Sequence, residues 1–105
     1  MLVWAKSALL SILSLGTVLE QHATIDLKVE VRREQPMVVK VTGGCGHSSM
    51  GIKKVVQKRE GSSIRVLVYL RVGEPEGDFS TEITVPDDVR QILFGKRGQV
   101  IFSRP

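Results

Sequence analysis

From Ile25 onward, apolar residues recur at every second position, and that spacing commits most of the chain to β-strands. Ile25, Leu27, Val29 and Val31 alternate with Asp26, Lys28, Glu30 and Arg32, so one set faces a core and the other faces water. Gln35-Pro36 breaks the run, after which Met37, Val39 and Val41 alternate with Val38, Lys40 and Thr42. Ile52 to Lys58 reads as a third strand. The clearest follows: Ile64, Val66, Val68, Leu70 and Val72 point one way, and Arg65, Leu67, Tyr69 and Arg71 the other. Phe79, Thr81, Ile83 and Val85 continue the pattern. Ile92, Leu93 and Phe94 then meet Val100, Ile101 and Phe102 across Gly95-Lys96-Arg97-Gly98, a hairpin signature. Pro86-Asp87-Asp88-Val89 reads as a single helical turn, because proline suits the first helical position and aspartate the first turn. With no helical period in this region, the expectation is an all-β fold, an antiparallel sandwich or small barrel of about seven strands.

The 105 residues suffice for one domain with a modest core. Apolar residues at 42% and charged residues at 25% exclude a disordered or collagen-like chain. Cys45 is the only cysteine, which excludes an internal disulfide framework and a multi-cysteine zinc site.

Ahead of the strands, residues 8–19 (Ala-Leu-Leu-Ser-Ile-Leu-Ser-Leu-Gly-Thr-Val-Leu) carry no charge and follow Lys6. As a helix, such a run rises only about 18 Å against a bilayer core of roughly 30 Å, so stable membrane insertion is not expected. A lysine-led start, a short apolar centre and small residues behind it form the pattern of a secretory signal peptide, with cleavage after Gly16 or after Ala23. The structural alternative is an apolar amino-terminal helix, with Ser7, Ser11 and Ser14 along one face, packed on a sheet. The expected division is 1–23 as signal peptide or apolar helix and 24–105 as the β domain, in a periplasmic or secreted protein.

Fifteen Lys and Arg against eleven Asp and Glu give a net charge of +4, which admits nucleic acid, an anionic surface or an acidic protein as partner. The charges are segregated along the chain. Lys53, Lys54, Lys58, Arg59, Arg65 and Arg71 share their stretch with one acid, Glu60, while Glu74, Glu76, Asp78, Glu82, Asp87 and Asp88 share theirs with no base. A surface built to neutralise phosphates would not be divided in this way, and charged strand faces that keep a small sheet protein soluble explain it as well.

The run Ile83-Thr84-Val85-Pro86-Asp87-Asp88-Val89-Arg90-Gln91-Ile92-Leu93-Phe94-Gly95, followed by Val100-Ile101-Phe102, resembles the carboxyl end of small exported proteins of Gram-negative bacteria, whose activity is largely uncharacterised. The likeness extends over Ile52 to Phe102. The resemblance implies an immunoglobulin-like β-sandwich and a periplasmic location. It rests on a strand, a turn and a hairpin, so it transfers no functional residue. The paired cysteines and mid-chain tryptophan of antibody-type domains are missing.

No constellation in the chain spells out catalysis. Cys45 and His47 lie two apart in the glycine-rich stretch Gly43 to Gly51, which reads as a flexible loop. A thiolate–imidazolium pair usually joins residues distant in sequence, and two candidate ligands fall short of a zinc site. Glu74, Glu76 and Asp78 suggest a calcium loop, but the glycine and the bidentate acid that such a loop requires would fall at Phe79 and Val85. Asp87 and Asp88 are adjacent on a turn and point apart. No glycine motif of a nucleotide site precedes a helix. The expectation is therefore a non-enzymatic binding module without a cofactor, its partner another protein. Arg65, Leu67, Tyr69 and Arg71, with Cys45 and His47, form the expected partner surface. The alternative is a basic nucleic-acid or polyanion binder using Lys53, Lys54, Lys58 and Arg59 with Arg65 and Arg71 around Tyr69.

Overall fold

Alternation of the kind described folds into eight strands in two sheets, seen in a computed structural model that describes residues 17–46 and 49–105. Of the signal segment or helix expected over residues 1–23, residues 1–16 lie outside the described residues, as does His47, while residues 17–23 form a short strand and a 3-10 turn. The strands are β1 (Thr17–Val18), β2 (Thr24–Glu34), β3 (Met37–Cys45), β4 (Met50–Glu60), β5 (Ser63–Val72), β6 (Asp78–Val85), β7 (Gln91–Phe94) and β8 (Gln99–Ser103). A 3-10 turn, Gln21–Ala23, links β1 to β2, and no α-helix occurs among the described residues. The described residues are all-β, in two open sheets that do not close into a barrel.

Strand β5 organises the larger sheet. It is antiparallel to β4 along one side, and β1 and β7 share its other side, with β8 beyond β7. The smaller sheet has the order β2-β3-β6. An all-antiparallel arrangement was expected, but β7 runs parallel to β5, Ser63 opposite Gln91 and Val66 opposite Phe94. The reason is topological: the chain leaves β5, crosses the other sheet as β6, and re-enters in the direction of β5.

The core lies between the sheets. Val39, Val41, Phe79 and Ile83 of the smaller sheet meet Val66, Val68, Leu70, Ile92 and Phe94 of the larger one, and all are buried. The Phe79 and Phe94 rings stack at 5.9 Å between centroids, within the range for a favourable aromatic pair. The sheet framework also includes residues before Thr24. Leu19 is 1% exposed in the same core, and its N–H donates to the Val68 carbonyl at 2.9 Å. The Glu20 carboxylate accepts the Lys96 and Arg97 backbone N–H groups at 3.0 and 3.2 Å.

Three local expectations need correction. The glycine-rich stretch is mostly strand: β3 runs through Cys45 and β4 begins at Met50. Gly43 pairs with Phe79, and a Cβ there would sit 2.8 Å from Thr24 Cγ2, so close sheet packing demands glycine at this point. Pro86 to Val89 forms a tight turn closed by Val89 N–H to the Pro86 carbonyl at 3.0 Å, not a helical turn. Ile25 is 53% exposed, because Asp26 (φ 52°) opens a bulge opposite Gly43 and reverses the phase of the strand.

Candidate interaction surface

The outer face of the larger sheet is defined by register. Lys54 lies opposite Tyr69, Val56 opposite Leu67, Lys58 opposite Arg65, Arg65 beside Leu93, and Leu93 opposite Val100. A bulge at Lys53 produces this set. Without the extra residue, Val56 would share the inner face with Ile52; with it, Val55 turns inward and Lys54 and Val56 turn outward. Val56, Leu67 and Leu93 are half-buried, and Val100 is 50% exposed. They form an oblique aliphatic strip across β4, β5, β7 and β8, with Lys54 and Lys58 at its margin. Sequence reasoning missed Val56, Leu93 and Val100. Leu93 was visible in principle, since it sits between the two inward residues Ile92 and Phe94; Val56 was hidden by the bulge.

Tyr69 is not the exposed anchor expected of it. It is 8% exposed, beside Val18 of β1 in register, and the Lys54 ammonium sits 5.3 Å from its ring centroid. Arg65 is also committed. Its Nε donates to Glu60 at 3.0 Å, and its Nη1 donates to the Gly95 and Lys96 carbonyls at 2.8 and 2.9 Å, which fastens β5 to the β7–β8 turn. Leu67 therefore remains as the accessible apolar centre, and Arg71 is exposed with Glu74 3.7 Å away.

Charge blocks separated along the chain meet in space. Arg59 donates to Asp88 at 2.7 Å and Arg71 approaches Glu74, so two residues of the basic stretch are neutralised by the acidic one. Gln57 crosses between the sheets to the Thr81 hydroxyl and the Glu82 carbonyl, both at 3.0 Å. Among the described residues, Lys53, Lys54 and Lys58 have no carboxylate within ion-pair distance. The basic patch is thus three lysines, of which Lys54 and Lys58 share the outer face while Arg59 lies on the opposite side of β4.

Hydrogen bonding from Arg65 holds the Glu60 carboxyl below its ordinary value, and Arg59 does the same for Asp88. Carboxylates lowered in the folded state stabilise it above the unfolded-state pKa, and that contribution disappears as pH falls through the folded-state value. Stability is accordingly expected to decline on acidification below about pH 4. Urea midpoints measured across that range check it. Asp88→Asn should flatten the acid limb; an unchanged limb would contradict the role given to Arg59–Asp88.

Cys45 ends β3 rather than lying in a mobile loop. Its N–H donates to the Gly77 carbonyl at 2.8 Å and its thiol reaches the Met50 carbonyl at 3.8 Å. It lines a shallow cleft of about 390 Å³ with Asp26, Lys28, Thr42, Asp78 and Phe79. This cleft belongs to the smaller sheet, so Cys45 is separated from the Leu67 surface with which it was grouped. Among the described residues, no cluster of three His, Cys, Asp or Glu side chains could hold a metal ion. No helix among them is long and apolar enough to cross a membrane. No family model, curated protein or solved structure matches the chain.

Proposed function

We propose that this chain is a small exported binding module, non-enzymatic and immunoglobulin-like in its two-sheet plan, that engages a protein partner on the outer face of the larger sheet. The observation that carries the reading is the aliphatic strip Val56, Leu67, Leu93 and Val100 on a face where a solvated sheet carries polar residues. Its basic margin, Lys54 and Lys58, suits a protein surface with an apolar centre and carboxylates beside it. The polyanion alternative is weakened because Arg59, Arg65 and Arg71 each have an acidic partner.

Two measurements test the reading. A basic nucleic-acid site should bind a non-specific oligonucleotide with affinity that falls steeply with salt, whereas the proposed module should show no such binding at physiological salt. A Leu67→Arg variant, with its urea midpoint matched to the parent, should lose a protein that co-purifies with the parent from periplasmic extract. Retention of that protein by the variant would contradict the surface; oligonucleotide binding by the parent would contradict the partner class.

A further inference from the structure

Strand β2 leaves one of its two edges unpaired, since among the described residues it bonds only to β3. An unpaired edge can accept another strand, and natural sheets blunt it by several devices, among them bulges, edge lysines or prolines, and charges that point inward. Here the inward residues Leu27, Val29 and Val31 are all aliphatic, and Val31 is 44% exposed. The outward residues of the run, Lys28 and Glu30, are opposite in sign, and Arg32 at its end donates to Glu30 at 2.9 Å. Bulges lie at both ends of the run, between Ile25 and Lys28 and between Val31 and Arg33, so Lys28 to Val31 is the regular stretch.

We infer that two copies of this chain join through β2, antiparallel about a two-fold axis through Val29. This surface is separate from the one proposed above and does not depend on it. In that register Lys28 of each copy meets the partner's Glu30 and Val29 meets Val29. Oppositely charged cross-strand pairs are favourable and like-charged ones unfavourable. The neighbouring registers that keep the apolar faces together are centred on Lys28 or Glu30 and bring like charges into opposition. The sequence of β2 is thus self-complementary within its regular stretch. Pairing makes one continuous six-stranded sheet from two three-stranded ones and covers Val31. A short strand pair buries little area, so the dimer belongs to the weak class, with dissociation in the micromolar range or above.

Sedimentation equilibrium of the full chain, from micromolar to near-millimolar concentration, tests the inference. The parent is expected to show a monomer–dimer equilibrium. Lys28→Glu and Glu30→Lys each oppose like charges twice and should weaken it by about tenfold or more. Mixing the two variants should restore association as a heterodimer, because each then supplies the charge the other lacks. A monomeric parent throughout the range overturns the inference, as does a dimer that either variant leaves unchanged or a mixture that associates no better than its components. Loss of folding cannot mimic the mixing result, which requires two folded variants.

Discussion

A chain that begins at Thr24 is expected to be unfolded or nearly so, while one that begins at Thr17 should unfold cooperatively. The difference is seven residues. They include Leu19, which is 1% exposed among Val66, Val68 and Phe94 in the inter-sheet core, and Val18, which is 7% exposed. Deleting a buried leucine side chain alone costs about 2–5 kcal/mol, against a total of roughly 5–15 kcal/mol for a domain of this kind. The shorter chain also leaves the Val68 carbonyl and the Lys96 and Arg97 N–H groups without their partners. Urea titration of both proteins decides the matter. Equal midpoints would mean that β1 contributes nothing to the sheet.

Phe94→Ala should produce the largest loss for a single substitution. Phe94 is 0% exposed, pairs with Val66 in the parallel β5–β7 ladder, and stacks on Phe79 from the opposite sheet. Removing a buried phenylalanine ring costs about 3–5 kcal/mol, because the cavity collapses only in part. The urea midpoint should fall with an unchanged slope. A loss below about 1 kcal/mol would mean that the two sheets do not meet at this ring.

The alternation around Ile64 to Leu70 made the central strand and its core face legible, because period two leaves no choice of face once one set is uniformly aliphatic. The hairpin across Gly95 to Gly98 was equally plain. Gly95 and Gly98 both adopt positive φ, 76° and 69°, a conformation that glycine enters without cost. What the sequence hid were the extra residues. The bulges at Asp26 and Lys53 each shift the phase of a strand, so Ile25 lies outside when it reads as inside, and Val56 joins the outer face unannounced. A bulge has no firm residue signature, and only the pairing partner reveals it.

Glycines misled for a related reason. Gly43 and Gly44 read as loop, yet they are strand residues kept small by the close approach of Thr24 and Phe79 at the first and Asp78 at the second. The candidate surface was half legible. Leu67 stood out as an aliphatic residue on a polar face, but the burial of Tyr69 depends on its lateral neighbours Val18 and Lys54, which are distant in sequence. Charge segregation along the chain likewise gave no warning that Arg59 and Asp88 would meet.

The export proposed above, combined with a framework that includes β1, sets a narrow requirement on processing. Cleavage after Gly16 leaves Thr17 at the start of the sheet framework, whereas cleavage after Ala23 removes Leu19 and Glu20 from it. Intact mass spectrometry of the protein isolated from its native cell, with the periplasmic and cytosolic fractions kept apart, tests this most directly. The mass expected is that of a periplasmic chain whose first residue is Thr17. A full-length chain retaining Met1 in the cytosol would contradict export, and a stable mature chain beginning at Thr24 would contradict the place of Leu19 in the core.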